Sequence, residues 1–542
     1  MRIAFITPPP VKPSEPGLSA GAAATVLRRQ GVDALWVDAS IRWHRFALDP
    51  DRLTDVLQGS SAAALSPKGR LAMVRAAESL RGIVPPLARP ATYANRHVYS
   101  SAVNNLENAL RIAALPFDGF RLGVAMVALE RPVRRLESSA ALAWLAESPG
   151  PFDAYFVEEL IPSLQRQGIT HAAVSLTFQQ QGPAAFRLAR LLQEHAPSIE
   201  RILGGPLVAC WKAVNIPLDR GPFTSFHHVL EGTADDLAEL AKRMGGANGS
   251  ASLSPDSVDG PLCVPAEQAC WGDYLAPVAT VPAALGRGCS WRRCTFCPDH
   301  LHPAHHACAP DTLSDWLYGI AQRFPTGAML HFTDSALPPG HLERVAEVIR
   351  VGKLPLRWHG FIRAEEAFAR PGFAKHLAEG GCSMLQVGIE SGSPRLLQAM
   401  GKGGSPEVSS GVLRAAASAG IRNHVYLLFG MPTESDDDRE GTLQFIKRDA
   451  DAIHALNPAL LNLPKGSPMH RYANRFGISE ILPFGQETDL SLYDDFRCGV
   501  SHPRREARVW LARRFFKDPS VREIQGGLRA TFKANHLCFL DT

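Results

Sequence analysis

The sequence predicts an α/β protein in three parts: an open α/β domain with a helical insertion, a partial (βα)6 barrel, and a small C-terminal segment. Three observations predict it. Short apolar runs alternate with stretches of helical spacing in two separate series, 1–246 and 278–475. A run rich in Gly, Ser and Pro, 247–277, lacks apolar periodicity and reads as the linker between them. A chain of 542 residues is also too long for one ordinary core.

In the first series, Arg2-Ile-Ala-Phe-Ile-Thr-Pro reads as a strand running into a proline turn. Gly17 to Gly31 carries helical spacing, and Val32 to Asp38 is a second strand. The pattern resumes with a strand from Ile169 to Phe178, a helix from Gly182 to about His195, and strands at Ile199 to Gly205 and Phe226 to Glu231. A last helix, Ala234 to Met244, opens behind Thr233, a capping residue by type. Between about 41 and 165 lies a mostly helical insertion whose aromatics (Tyr93, Tyr99, Phe117, Phe120) carry no site signature. Strands alternating with helices pair in parallel and bind ligands at their carboxyl ends. The turns Gly204-Gly205-Pro206 and Glu231-Gly232 stand at such ends, where glycine lets backbone approach a large ligand, although a plain turn is the other reading of each.

In the second series the strands are Val278 to Leu285, Ala328 to Thr333, Leu356 to Arg363, Ser383 to Glu390, His424 to Phe429 and Ala459 to Leu463. Between them lie helices at Leu313 to Phe324, His341 to Val351, Phe373 to Glu379, Glu407 to Ala419 and Asp437 to Ile453. Six βα units of this spacing suggest a parallel barrel, complete or partial, with its chemistry at the strands' carboxyl ends. Asp334 closes the second strand, Arg363 the third, Glu390 and Ser391 the fourth, and Gly430-Met-Pro-Thr-Glu434 follows Phe429. One carboxylate at a strand end is usually a cap or a solvated loop. A set converging on one mouth suits a zwitterionic ligand bearing a ribose, with carboxylates for amine and hydroxyls and Arg for a carboxylate. The 476–542 segment, with Arg-rich helical spacing from Arg504 to Phe516, is expected to close the barrel's lower side or mouth.

Composition narrows the class. Hydrophobic residues at 45% and charged residues at 20% describe an ordinary globular protein, and a formal net charge of +4 makes no case for nucleic acid. No apolar stretch long enough for a membrane span appears, and the N-terminus lacks the apolar run and cleavage site of a signal peptide. The ten cysteines are scattered except for one cluster, which suits reduced thiols in the cytoplasm.

That cluster is Gly-Arg-Gly-Cys-Ser-Trp-Arg-Arg-Cys-Thr-Phe-Cys (286–297), directly after the first barrel strand. Cys289, Cys294 and Cys297 can converge on one metal centre. One reading is a closed zinc site, with the fourth ligand from His300, His302, His305, His306 or Cys308. The other is a four-iron cluster with one iron open to a ligand. The cysteines do not decide between them. The long strand–helix alternation that follows favours the cluster, since a zinc knuckle needs no such scaffold.

With these residues in place, 278–475 resembles a radical S-adenosylmethionine (SAM) enzyme barrel, and 1–246 resembles the Rossmann-like cobalamin-binding domain that precedes it in one large subfamily. The resemblance implies a [4Fe-4S] cluster on Cys289, Cys294 and Cys297, S-adenosylmethionine on its open iron, and a 5′-deoxyadenosyl radical. It implies that Phe296 shields the cluster and that Asp334 approaches the methionine amine. Arg363, Glu390 and Ser391 would meet the carboxylate and the ribose or amine, and the backbone of Phe429 and Gly430 the adenine. Gly204, Gly205, Glu231 and Gly232 would lie against cobalamin. Two departures stand out. Four residues, Ser290 to Arg293, separate the first two cysteines where the commonest motif has three, a longer form that resembles one branch of cobalamin-type enzymes. The Asp-x-His-x-x-Gly motif that ligates cobalt in many cobalamin proteins is absent from 1–246, as it is from many of that subfamily.

The expectation is therefore a cytoplasmic methyltransferase acting on an unactivated carbon of a peptide or natural product. It would take its electron from a donor such as flavodoxin or ferredoxin. Cyclisation or rearrangement without methyl transfer is the alternative within the subfamily. A zinc-stabilised, non-catalytic binding protein is the alternative from another class.

Overall fold

The computed structural model describes the chain except residues 64, 83, 130–134, 231–233, 245–259, 302–304, 371, 486, 527–531 and 541–542. The first apolar run forms β1 (Ile3–Thr7), buried throughout. Successive side chains leave opposite faces of a strand. Ala4 and Ile6 accordingly enter one core and Ile3 and Phe5 another, as in a strand covered on both sides. With β2 (Ala34–Asp38), β3 (His171–Ser175), β4 (Glu200–Gly204) and β5 (His228–Val229) it makes a parallel sheet in the order β2-β1-β3-β4-β5. The chain turns one way from β1 to β2 and the other way to β3, so the carboxyl ends of β1 and β3 flank the crevice where such sheets hold ligands. β3 stops short of the expected Phe178. The buried Gln181 side chain accepts the amides of Thr177 and Phe178 (2.8 and 2.9 Å) and donates to the Pro8 carbonyl (2.8 Å), which removes both amides from the ladder. The 41–165 insertion is mainly helical, with a hairpin, Phe120–Gly123 against Met126–Leu129, that the helical spacing does not reveal.

The second sheet has seven strands. β6 (Leu262–Cys263) pairs antiparallel with β7 (Thr280–Ala284); β8 (Ala328–Phe332), β9 (Leu356–Arg363), β10 (Cys382–Glu390), β11 (Arg422–Phe429) and β12 (Ala455–Leu460) follow in parallel. The order β12-β11-β10-β9-β8-β7-β6 leaves the sheet open, as a partial barrel requires. Its outer face buries Leu330, Phe332, Trp358, Leu385, Val387, Val425 and Phe429 under the helices. β6 lies inside the stretch read as linker. Neighbouring residues fasten to the first domain one contact at a time: the Trp36 amide donates to Gln268 (2.7 Å), Tyr274 to the buried Asp38 (2.8 Å), and the Leu275 amide to the Pro13 carbonyl (2.6 Å). Such contacts leave no periodic trace in sequence.

The last strand begins at Ala455, four residues before the expected Ala459. The helix before it ends at Arg448, because the buried Asp449 carboxylate takes hydrogen bonds from Ser410, Arg414 and Arg448. Pro458 argues against a strand by type, yet β12 ends the sheet, where a missing amide is tolerated. In the C-terminal segment the helix Pro503–Arg513 covers the outer core, and residues 532–540 pack on the inner face with Tyr93 and Tyr99 of the insertion. Arg422, the first residue of β11, donates to the Leu540 carbonyl, so this segment closes the amino-terminal side of the sheet. Among the described residues no helix is long and apolar enough to cross a membrane.

Candidate functional site

The cysteine loop leaves the carboxyl end of β7 and is pinched at its base, where Gly286 and Arg287 pair antiparallel with Ala307 and His306. Asp334, just past β8, is buried and accepts the Leu285 amide (3.0 Å), fixing the base from the neighbouring strand. Burial pushes its carboxyl up to about 6.

The loop is then sewn to the turn that follows the helix Pro394–Ala399. The Thr295 amide donates to the Met400 carbonyl (2.8 Å), and Trp291 donates its indole N–H to the Gly401 carbonyl (2.8 Å). On the far side, the Met469 amide donates to the Thr295 carbonyl (2.8 Å). Gly401 and Gly403 carry φ angles of +63° and +72°, and a Cβ on Gly403 would lie 2.6 Å from Trp291. The Arg363 guanidinium stacks 3.9 Å over the same indole and donates to the Lys402 carbonyl (3.3 Å). The long spacing between Cys289 and Cys294 thus has its own anchor: Trp291, in the middle of the added length, is clamped between Arg363 and a glycine.

The three thiols sense one another: Cys294 is within electrostatic reach of Cys289, and Cys297 of both. Burial, with the Asp299 carboxylate, pushes Cys297 up to about 12, and burial raises Cys294 as well. Thiolates there need a strong positive partner. A single zinc with 2.3 Å bonds would draw tetrahedral thiolates to roughly 3.8 Å of one another. Among the described residues no three His, Cys, Asp or Glu side chains are gathered as one ion requires.

Beside Cys294 lies a partly buried ion pair, Lys402 Nζ to Glu390 Oε1 at 2.9 Å. A register shift between Gly388 and Glu390, with Glu390 at φ +67°, turns this carboxylate toward the lysine. A Cβ on Gly388 would meet both groups, at 2.9 and 3.0 Å. Arg363, Glu390 and the cysteines therefore share one place, and Lys402 joins them. Sequence reasoning missed Lys402; its signal is a lysine alone among Gly401, Gly403 and Gly404.

At the other expected positions the protein's own packing engages the side chains. Ser391 is buried against Thr442 (3.1 Å) and caps the turn by accepting the Ser393 amide (3.0 Å). Phe429 points to the outer face, against Trp510 and Phe515. The Gly430 amide is taken by Glu434 (2.7 Å), whose carboxyl burial raises to about 7, and Arg504 covers that glycine. In the first domain a Cβ on Gly205, at φ +105°, would strike the backbone of Leu176, so packing inside the chain already demands glycine there. The crevice between β1 and β3 instead gathers three hydroxyls, Ser19 with Ser175 (3.0 Å) and Thr177 (2.7 Å). Glu231 and Gly232 lie outside the described residues.

Residues 284–446, which hold the cysteine loop and the turn that clamps it, match the radical SAM superfamily. Residues 284–446 form a radical SAM domain. The radical SAM domain implies S-adenosylmethionine and a [4Fe-4S] cluster as its cofactors. An uncharacterized methyltransferase of Pyrococcus horikoshii is 26% identical over 172 residues, 30% of this chain and 35% of that protein. An uncharacterized protein of Methanopyrus kandleri is 34% identical over 64 residues, 12% of each. The chain thus aligns with about a third of the first relative's length and about an eighth of the second's. Among solved structures, the radical SAM methyltransferase TsrM from Kitasatospora setae, with cobalamin and a [4Fe-4S] cluster bound, superposes with a TM-score of 0.42 at 16% identity, over 62% of this chain and 74% of that one. The cobalamin-dependent SAM radical enzyme OxsB, with aqua-cobalamin and S-adenosylmethionine bound, gives 0.44 at 15% identity, over 65% and 51%.

Proposed function

We propose that this radical SAM enzyme is a cobalamin-dependent methyltransferase acting on an unactivated carbon of a peptide or natural product, with its cluster on Cys289, Cys294 and Cys297. One observation carries the reading. Cys210, on the helix that directly follows β4, is within electrostatic reach of Asp299, and Tyr493 is within reach of both Cys210 and Cys297. The helix after β4 therefore lies near the cysteine loop, which supports a reading with a methyl carrier on one side and a radical source on the other. The P. horikoshii relative, named a methyltransferase, supports the same class.

The donor sets suit both groups. Three thiols on a clamped loop would hold the cluster. Gly204, Gly205 and the Ser19–Ser175–Thr177 hydroxyls would lie against a corrinoid at the crevice. When bound, the cluster with S-adenosylmethionine supplies a carbon-centred radical and the corrinoid a methyl group. The chain's own part is positioning. Arg363 and Lys402 offer cations to a carboxylate, and Glu390 offers an acceptor to an amine or hydroxyl. Asp334 keeps the loop's base in place and Trp291 its middle. A small one-electron donor of the flavodoxin or ferredoxin kind would reduce the cluster.

The test is cofactor content after anaerobic expression with cobalamin supplied, followed by turnover. One cluster's complement of iron and sulfide, one corrinoid per chain, and a product heavier by one methylene are the expected results. Cys294→Ala should lose the cluster and S-adenosylmethionine cleavage together; cleavage retained in that variant sinks the assignment. Iron without corrinoid, and a product of unchanged mass, would replace methyl transfer by rearrangement. One zinc and no iron would end the radical reading.

A further inference from the structure

The inner face of the second sheet is polar where a core would be apolar. His331 and His359 sit side by side in register on β8 and β9 with their rings stacked at 4.3 Å, and Gln386 and His424 pair in the same way on β10 and β11. Tyr426 donates to the Gln386 side-chain oxygen (2.7 Å), which turns the amide nitrogen away, and Phe361 packs against Tyr426 at 4.9 Å. His331 is engaged by Glu15 of the first domain (2.7 Å). His359 and His424 are not: both ring nitrogens of each, with the Gln386 amide nitrogen, find no partner among the described residues. His359 and Gln386 are 0% exposed and His424 2%. Polar atoms so placed are costly unless another molecule partners them.

We propose that His359, Gln386 and His424 form the floor of the acceptor-substrate site and bind an uncharged hydrogen-bonding group, of the amide or azole kind, joined to an apolar body. The inference rests on the reading of this chain as an enzyme that acts on an organic substrate. Burial pushes His424 down to about 3 and His359 well below its ordinary value, so both rings are neutral at working pH. A neutral imidazole offers one donor and one acceptor. An anion would find a lone pair set against it at each ring, whereas an amide or azole can match both. The charged neighbours are already engaged: Lys12 donates to Asn535 (3.2 Å), Asn535 to Glu15 (2.8 Å), and Lys533 to the Leu456 carbonyl (3.4 Å). Phe361 and Tyr426 stand beside them as aromatic neighbours for the rest of the ligand, and Met329 and Met384 are buried in the core that backs this face. Position fits as well. His359 and Arg363 share a face four residues apart, about 13 Å along the strand, so the floor lies one small molecule below the cysteine loop. Solvent does not reach the histidine nitrogens, so an occupant enters by parting side chains, and that work lowers its affinity.

Benzamide and benzoate, near-isosteres that differ in charge and donors, test this by calorimetric titration of the cluster-loaded protein without S-adenosylmethionine or reductant. Benzamide should saturate and benzoate should bind at least about tenfold more weakly. His359→Leu and His424→Leu should each weaken benzamide about three- to tenfold, the loss of one hydrogen bond. His359→Gln, which keeps a donor and an acceptor, should recover most of it and guards against misfolding as the cause. Benzoate binding as well as benzamide, no saturation by benzamide, or unchanged affinity in both leucine variants would overturn the proposal. The titration needs no turnover, so a failure of methyl transfer leaves its outcome readable.

Discussion

Gly403→Ala isolates the clamp on the cysteine loop. The new Cβ would lie 2.6 and 2.9 Å from two atoms of the Trp291 indole and 3.2 Å from Arg363, at a φ of +72°. The indole cannot simply swing aside, because its N–H is bonded to Gly401 and Arg363 lies on its face. A left-handed alanine costs about 1–2 kcal/mol. Displacing the ring adds a lost hydrogen bond, about 0.5–1.5 kcal/mol, and about 0.5–1 kcal/mol of cation–π contact. The sum, about 2–4.5 kcal/mol, corresponds to a melting shift of roughly 4–18 °C for a domain of this size. Gly420→Ala is the control, since Gly420 has φ +78° but nothing within 4 Å of its Cβ. It should lose only the backbone part, about 1–2 kcal/mol. The assay pairs thermal melts of the metal-free chain with iron retained per chain after anaerobic reconstitution and gel filtration. Both variants should melt lower, and only Gly403→Ala should shed iron, because only there does the strain reach the loop between Cys289 and Cys294. The reasoning is refuted if Gly403→Ala melts with the control and keeps its full iron.

Three further outcomes follow from the same geometry. Lys402→Met should cost about 3–5 kcal/mol by leaving the partly buried Glu390 carboxylate unpaired, and Lys402→Met with Glu390→Gln should recover most of it; melts of the two singles and the double give the coupling. Asp334 is held at about 6 against an ordinary 3.8, so its ionisation disfavours the native state: full stability is present below pH 3.8, and about 3 kcal/mol is lost as pH rises to 6. Asp334→Asn keeps an acceptor for the Leu285 amide and should flatten the melting temperature across that window, whereas an unchanged slope would place the titration elsewhere. His359→Leu removes two unpartnered ring nitrogens from a dry setting and should raise the melting temperature of the ligand-free protein; a marked fall would mean the ring is satisfied there.

What the sequence carried was local. Ile3 to Thr7, Ala328 to Phe332 and Arg422 to Phe429 are runs whose own residues demand burial, and the three cysteines announce themselves by spacing. What it did not carry depends on partners far along the chain. β6 is two residues long and exists because β7 offers an edge. β12 contains Pro458 and is a strand because it is the last one. The site residues show the same limit at finer grain. Ending a strand places a residue at the mouth, but not on the mouth's side of the sheet. Phe429 ends β11 and faces the outer helices, whereas Glu390 keeps the inward parity of Gln386 and Gly388. One signal was nonetheless present and passed over. The strands read as buried apolar runs, yet His331, His359, Gln386 and the pair His424 and Tyr426 interrupt four neighbouring strands on one parity. A single polar residue on a buried strand is noise. The same parity broken on four adjacent strands marks a face whose core is interrupted by neutral donors and acceptors, and under a cysteine loop such a face is where a substrate would be held.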